Sequence, residues 1–403
     1  MNGTYDGLPP TFSQELSALL DEASTLGIDP KVLEALLMAP LVSNHIAEAE
    51  TVAGQRLDTL RTAIEQNATQ MMRLLSRLSF LLLLQYLLRF RQASHPWQNT
   101  RYRLVICGDD SLLVHAEQSE QPDVVNIWSP LYKTYRKAHD LIVLGVTVGA
   151  AAGTFFFPLW VELWRQPGLR KQTRPQRMAA ALLRLNHQLI EVGESLEGMD
   201  FAADNGYHSP TVGKAVDACG LVMTTQLRSN QQVSLLNGQS VPMGELRDQL
   251  IQTQPIRVDP RAGTQAYYWR RDVIHPYLGA GTLVIQRRKI KSGGFLYHYH
   301  FSQHQRAKAI TVLQIAKRRW PIEVFFRESK QLLGMGHLPF RKWAALRGHI
   351  ICRAVLYFLL AKVRHRIRWK KRDKTIGALK RRWGKTLASI FRSLFPFSSS
   401  QQA

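Results

Sequence analysis

The chain has 403 residues, of which 45% are hydrophobic and 21% are charged, a balance that excludes a disordered or collagen-like protein. At roughly 150 residues per domain, this length predicts two or three structural units. The three cysteines, Cys107, Cys219 and Cys352, lie far apart, which excludes a disulfide framework and any CxxC zinc or redox motif. The first residues lack the basic and apolar segments of a signal peptide, so we expect a cytoplasmic protein.

The positive charge is concentrated at one end of the chain. Residues 301–403 contain 24 basic and 3 acidic residues, whereas residues 1–100 contain 7 basic and 10 acidic residues. A surface of this kind favours a polyanionic partner, either nucleic acid or an anionic membrane.

Two apolar segments bear on the membrane alternative. Leu78–Leu88 has 11 uncharged residues, fewer than the roughly 20 that a spanning helix needs. Leu141–Val161 has 21 uncharged residues, but its Val-, Thr- and Phe-rich ends flank Gly-Ala-Ala-Ala-Gly, which favours two buried strands joined by a turn. We therefore predict no membrane contact. A basic membrane protein is the alternative if Leu141–Val161 is a span.

The predicted elements change along the chain. Residues 1–98 are predicted to be helical. Because they are slightly acidic, helices that cover the core are favoured over an accessory module that binds DNA ends. Strands, a helix, a strand, a second helix that starts at Ser209-Pro210 and a further strand follow, which predicts a mixed α/β sheet with acids at strand ends. The interval 228–301 is predicted to be β-rich, and the chain from 302 onward helical and basic.

Two groups in the β-rich interval have a functional and a structural interpretation. His298 and His300 share a strand face and suggest a metal site with His304, but no Cys or carboxylate stands at matching spacing, so we favour solvent-facing residues. The run 267–269 (Tyr-Tyr-Trp) could stack on an unpaired base, but an ordinary strand core is favoured.

Three acids have the context of a catalytic site. Asp109 and Asp204 each follow a predicted strand, and Glu323 lies at the edge of a helix whose buried side includes Phe325 and Phe326. Glu323 has cations at Arg319, Arg327 and Lys330 along its face, an arrangement suited to an acid that works beside a phosphate backbone. Carboxylates from two strand ends and a helix can hold two Mg²⁺ ions for phosphodiester cleavage and transfer.

These residues resemble a known family, the bacterial insertion-sequence DDE transposases. The spacing Arg319, three residues, Glu323, six residues, Lys330 matches most of that family's Tyr-Arg-Glu-Lys signature. The run RRWPIEVFFRESKQ resembles its last catalytic helix, FAADNGYHS its second-aspartate segment and LVICGDDS its first-aspartate strand. The resemblance covers about residues 100–360.

The resemblance implies an α/β fold with an RNase H-like mixed-sheet core, a β-rich insertion, an N-terminal helical region and a basic helical C-terminus. The corresponding boundaries are 1–98, 99–227, 228–301, 302–345 and 346–403. It assigns the metal-binding triad to Asp109, Asp204 and Glu323, with two Mg²⁺ ions and Mn²⁺ as a substitute. It also implies double-stranded DNA with terminal inverted repeats, a target DNA and a homodimer in the synaptic complex, associated with the nucleoid.

The sequence departs from the family pattern at two positions. Ala316 stands where the family has tyrosine, so a phosphate contact is missing or supplied elsewhere, and Pro321 is expected to kink the helix between Arg319 and Glu323. Asp110 is a rival for the first acid. The alternative to an active transposase is a catalytically inactive DNA-binding relic with the same fold.

The basic C-terminal stretch is predicted to bind the DNA backbone, because Trp369 and Trp383 are interleaved with its cations. The residues assigned to DNA binding are Arg319, Arg327, Lys330, Arg366, Arg368, Lys370 and Lys371.

Overall fold

The computed structural model describes residues 10–42, 57–92, 104–115, 121–129, 132–150, 153–164, 171–258, 266–290, 293–338, 340–366, 375–381 and 383. Its helices are α1 (Pro10–Thr25), α2 (Pro30–Val42), α3 (Leu57–Gln66), α4 (Ala68–Gln92), α5 (Arg174–Ile190), α6 (Pro210–Ala218), α7 (Met243–Thr253), α8 (Ala309–Arg318), α9 (Trp320–Gln331) and α10 (Trp343–Arg366). Its strands are β1 (Leu104–Val114), β2 (Val125–Ser129), β3 (Thr134–Ala150), β4 (Gly153–Leu163), β5 (Asp200–Ala203), β6 (Val222–Leu227), β7 (Gln232–Leu235), β8 (Ser240–Pro242), β9 (Arg257–Val258), β10 (Ala266–His275), β11 (Gly279–Lys289) and β12 (Phe295–Ser302).

A mixed sheet forms the centre of the fold, as predicted. The strand order along its main path is β2-β3-β1-β5-β6-β12-β11-β10-β7-β8, with β4 paired to β3 and β9 paired to β10. β1, β5 and β6 are parallel, and the remaining pairs are antiparallel. Strand β5 ends at Ala203, which is opposite Gly108, so Asp204 lies beside Asp109. The expectation that Asp109 follows the end of its strand is wrong, because β1 continues through Asp109 to Val114, paired with β3.

The β-rich interval extends this same sheet. Strand β12 pairs with β6 of the core over Tyr299–Ser302, so the two regions share one hydrogen-bonded ladder. The interval, predicted to be β-rich, contains six strands and also one helix that was not predicted, α7 over Met243–Thr253. Met243, Leu246 and Leu250 form its buried side, a helical spacing within a sequence that otherwise favours strands.

The N-terminal helices pack on α10, the most buried long helix of the described chain. At Gly348 the backbone of α3 comes so near that a Cβ would lie 2.5 Å from the carbonyl oxygen of Ile64, so only glycine fits. The buried Arg353 donates from Nη1 to the carbonyl oxygen of Leu36 at 3.2 Å. In the structure the N-terminal helices thus form part of the main hydrophobic core.

The segment Leu141–Val161 forms the predicted hairpin of β3 and β4, with Ala151 and Ala152 of its turn outside the described residues. Two described helices are long and apolar enough to cross a membrane by length and composition, Ala68–Gln92 and Trp343–His365. The apolar window of the second is 89% buried within the fold and that of the first 39%.

The described C-terminal residues connect the end of α9 to the N-terminal helices. Ile376, Leu379 and Trp383 are buried, and the Trp383 ring meets Phe12 of α1 edge-on at 5.4 Å. Lys380 donates to the carbonyl oxygens of Pro40 and Leu332 at 2.7 and 2.8 Å. Trp383, which the sequence places among the cations of the basic stretch, thus has its ring in the core.

Candidate active site

The first acidic pair lies on β1. Gly108 precedes it, and a Cβ there would lie 2.8 Å from Cε of Met178, so glycine lets α5 approach the strand. Asp109 is 6% exposed, and its Oδ1 accepts a hydrogen bond from the backbone N–H of Asp110 at 2.9 Å. Successive strand residues point to opposite faces, so the two carboxylates leave β1 on different sides.

Asp204 follows the neighbouring strand directly. Strand β5 runs parallel to β1 with Ala203 opposite Gly108, which brings Asp204 beside Asp109. Its Oδ1 accepts from the backbone N–H of Gly206 at 2.8 Å, so it caps a short 3₁₀ turn over Asn205–Tyr207. Asn205 and Gly206 therefore belong to this 3₁₀ turn. The turn fixes the direction of the carboxylate.

Glu323 is in the first turn of α9. The helix is interrupted just before Pro321: α8 ends at Arg318, Arg319 keeps helical dihedral angles, and α9 begins at Trp320 with the proline in its first turn, where its missing N–H costs little. Ile322, Phe325 and Phe326 are buried, as the sequence indicates, and Glu323 is left at the edge of the helix with its side chain 38% exposed.

The structure brings the three predicted acids to one cleft of about 430 Å³. Arg319 joins two of them, donating from Nη1 to Asp109 and from Nη2 to Glu323, the latter at 2.6 Å. Asp110 lines the same cleft, so it remains beside Asp109 as a rival first acid. The lining residues are Asp109, Asp110, Ser111, Asp204, Arg319, Glu323, Phe326, Arg327, Lys330 and Gln331.

Negative charge in the cleft exceeds its local compensation. Burial raises the pKa of Asp109 well above its usual range; Arg319 opposes this rise, and Asp204 adds to it. Burial also raises the pKa of Asp204, with repulsion from Asp110 as the next cause and Arg319 in opposition. Neighbouring carboxylates with raised pKa values are typical of sites that bind a cation or hold a proton.

Lys330 connects α9 to β1. Its Nζ donates to Oγ of Ser111 at 2.7 Å and to the carbonyl oxygen of Leu112 at 2.6 Å. Burial lowers the pKa of Lys330 to about 8, although Asp140 and Asp110 favour its charged form. Lys330 was predicted to bind DNA. In the structure its ammonium group instead donates hydrogen bonds to β1 and so holds α9 against that strand.

Sequence reasoning missed a second polar group behind Asp110. Asp140 of β3 is buried and ion-paired with Nε of Arg174, whose Nη1 lies 3.7 Å from Oδ2 of Asp110. Burial raises the pKa of Asp140 to about 7, and the charge of Asp110 adds to the effect. Burial and then the charge of Asp110 raise the pKa of the enclosed Tyr207. The sequence signal for this group was Asp140, an acid that stands directly before the 21-residue uncharged run Leu141–Val161.

Divalent metal binding fits the chemistry of the cleft but requires the side chains to regroup. Among the described residues, no three His, Cys, Asp or Glu side chains are arranged so that they could hold one metal ion. The guanidinium of Arg319 instead bridges Asp109 and Glu323. Carboxylate oxygens are the ligands that Mg²⁺ prefers, and the excess negative charge would be relieved by such a cation.

His298 and His300 of β12 are half-buried and line a separate, open cavity of about 690 Å³. Burial lowers the pKa of His298 and lowers that of His300 to about 3. His304 is hydrogen-bonded to Asp200 at 2.6 Å, so the three histidines do not form a common site. Trp269 is 1% exposed, in agreement with the preferred strand-core interpretation of the aromatic run.

The structure describes only some of the other residues that were assigned to DNA binding. Arg327 is exposed at the rim of the cleft. The backbone of Arg366 ends α10, but its side chain lies outside the described part of the chain, as do Arg368, Trp369, Lys370 and Lys371.

Comparison with known proteins gives one family. Residues 171–359 match the family model described as Transposase DDE domain, a range that includes Asp204, Arg319, Glu323 and Lys330 and begins after β1. No curated protein matches the chain. The mixed sheet with its parallel centre β1–β5–β6 is consistent with an RNase H-like core. Over residues 171–359 this chain is therefore similar to the transposase DDE domain.

Proposed function

We propose that this chain is a transposase that binds the terminal repeats of its element and cuts and rejoins DNA in a metal-dependent reaction. The observation that carries the proposal is the meeting of Asp109, Asp204 and Glu323 in one cleft, although they come from three distant parts of the chain. The similarity to the transposase DDE domain over residues 171–359 supports the same reaction class.

In this proposal Asp109, Asp204 and Glu323 hold two Mg²⁺ ions, or Mn²⁺ in their place. When bound, such ions activate a water or a 3′-hydroxyl and stabilise the leaving oxygen. The cleft supplies Asp109 from within β1, Asp204 directly after β5 and Glu323 from α9. Burial, and then repulsion from neighbouring acids, raises the pKa values of Asp109 and Asp204. Arg319 would then leave at least one carboxylate and become available to a phosphate oxygen.

The protein's own residues set the geometry. Lys330 bonds to Ser111 and Leu112 and so fixes the distance between α9 and the acids of β1. Arg327, exposed at the rim, is suited to bind a phosphate and position the strand without reading bases. Two copies of the chain would bring two element ends and a target DNA together.

An excision assay tests the proposal. A plasmid carrying the coding segment with its native flanking DNA is supplied with the protein in cells, and excised junctions are amplified and sequenced. We expect junctions at inverted repeats with wild type and none with Glu323→Gln. Absence of junctions with wild type would contradict the proposal.

A catalytically inactive DNA-binding relic is the second candidate. It is favoured by the ion pairs that bind Asp109 and Glu323 to Arg319 and by alanine at position 316. A relic would bind the flanking repeats without producing a cut.

A further inference from the structure

The hairpin of β2 and β3 exposes three aromatic rings at the edge of the sheet. Trp128 is 51% exposed, Tyr132 51% and Tyr135 67%. Trp128 pairs with Tyr135 across the two strands, and their ring centroids lie 5.5 Å apart in an edge-to-face arrangement. Rings of this size usually lie largely within a fold, so a cluster that remains accessible indicates an interaction surface.

Cations surround these rings. The sequence from Val124 to Ala138 contains Lys133, Arg136 and Lys137 and no acidic residue. The guanidinium carbon of Arg136 lies 5.1 Å from the centre of the Tyr132 ring. We call Trp128, Tyr132, Lys133, Tyr135, Arg136 and Lys137 the hairpin platform. Its charge is complementary to a polyanion, and its rings can stack on flat apolar groups.

Strand register relates the platform to the acids. Asp109 is opposite Val143 of β3, and Tyr135 lies eight residues earlier on that strand, about 26 Å away at roughly 3.3 Å per residue. Because side chains alternate, Tyr135 and Lys137 leave β3 on the same face as Val143, which is the face of Asp109. Trp128 is opposite Tyr135 and shares that face.

Basic residues also occupy the interval between the cleft and the platform. The start of α10 lies there, since the Trp343 ring is 6.4 Å from that of His139 on β3. Arg341 and Lys342 immediately precede Trp343 and are exposed, and Lys342 is ion-paired with Glu65 at 3.0 Å. A DNA strand that leaves the cleft beside Arg327 would therefore pass Arg341 and Lys342 before it reaches the hairpin.

We propose that the hairpin platform binds an unpaired DNA strand several nucleotides from the reacting phosphate. Trp128 and Tyr135 stack on its bases, and Lys133 and Lys137 bind its phosphates, whereas Arg136 leaves β3 on the other face and packs against Tyr132. Aromatic rings combined with cations characterise single-strand binding, because duplex DNA hides the faces of its bases. The proposal rests on the proposed function, which makes DNA the polyanion that this chain meets.

Binding of a labelled oligonucleotide of about 20 nucleotides, and of the matching duplex, tests the platform with the full chain. We expect Trp128→Ala/Tyr135→Ala to weaken single-strand binding about tenfold or more and duplex binding much less. Lys133→Gln/Lys137→Gln should flatten the salt dependence on single strands by about 1.4, at 0.7 for each phosphate that is no longer neutralised. The charge-matched control Lys31→Gln/Lys214→Gln, on α2 and α6, should bind like wild type.

Trp128→Phe/Tyr135→Phe, which keeps the rings, should retain single-strand binding and so separates stacking from misfolding. Unchanged affinity of the alanine pair would overturn the proposal. The proposal would also fail if the alanine pair abolished self-association or vesicle binding while DNA binding persisted. If wild type cuts DNA but the alanine pair binds single strands normally, only the platform proposal fails. If wild type neither binds nor cuts DNA, the proposed function fails as well.

Discussion

Arg319 and Glu323, four residues apart across the break between α8 and α9, are joined by a 2.6 Å hydrogen bond, and the same guanidinium also donates to Asp109. One cation therefore holds two of the three carboxylates assigned to metal binding. It compensates part of their charge and links β1 to α9. In the proposed reaction these ion pairs would have to break for a divalent cation to bind both carboxylates.

Arg319→Gln is expected to increase the affinity for Mn²⁺ about tenfold, because a competing positive charge leaves Asp109 and Glu323. Calorimetric titration of the DNA-free protein measures this directly. Arg327→Gln is the matched control: it removes a charge at the rim of the same cleft and should change the affinity less. Equal or weaker Mn²⁺ binding by Arg319→Gln would show that Arg319 does not compete with the metal.

The buried Asp140 predicts a pH-dependent stability. Its pKa is raised to about 7, so between about pH 4 and pH 7 the folded state binds a proton that the unfolded state has released. Stability from this group is therefore present at low pH and decreases as the pH rises through that window. Asp140→Asn should be more stable than wild type by about 1–3 kcal/mol at pH 8, with little difference at pH 4.

Urea unfolding at the two pH values, with a chelator present, measures this difference. Asp21→Asn, at an exposed position of α1, serves as the control and should leave the pH dependence unchanged. A destabilised Asp140→Asn at pH 8 would mean that the ion pair with Arg174 outweighs the cost of burial.

Trp383 is expected to stabilise the fold. It is 4% exposed and packs against Phe12, so Trp383→Ala should lower the free energy of unfolding by about 3–5 kcal/mol. Trp128→Ala, at a ring that is 51% exposed, should cost far less. Denaturant unfolding compares the two variants, and a small effect at Trp383 would contradict the packing.

Much of the architecture could be predicted from local patterns. The mixed sheet, the β3–β4 hairpin and the helix that starts after Ser209 follow from periodicity, turn residues and caps. Helix α7 was missed because its three buried residues lie inside an interval dominated by strands. The pairing of β12 with β6 could not be predicted, because strand register over long separations depends on tertiary packing.

The acids of the cleft were found because Asp204 follows a strand, Glu323 lies at the edge of a helix and Asp109 comes directly after an apolar run, although β1 extends beyond it. The partners of the cations could not be found in this way. Arg319 and Lys330 were assigned to DNA from their helical spacing, yet their bonds to Asp109 and Ser111 join residues that lie 210 and 219 positions apart. Asp140 and Arg174 were missed for the same reason, since only the folded sheet brings them behind Asp110.

The basic C-terminal run is expected to supply non-specific DNA affinity. Neutralising Arg366, Arg368, Lys370 and Lys371 together should flatten the dependence of duplex binding on salt by about 0.9 for each phosphate that these side chains neutralise in wild type. Sequence preference should change little, because phosphate contacts do not read bases. Titrations between about 50 and 200 mM salt measure the slope of log affinity against log salt concentration. An unchanged slope would mean that other residues supply the non-specific affinity for DNA.

The most direct test of the carboxylate cleft separates cutting from binding. Asp204→Asn keeps the size of the side chain but removes a charged ligand, so purified protein should still bind element-end DNA with near wild-type affinity and should lose cleavage in Mg²⁺ and in Mn²⁺. Asp248→Asn, an exposed acid on α7, should cut like wild type. If Asp204→Asn cuts DNA at the wild-type rate, the assignment of this cleft as the catalytic centre is contradicted.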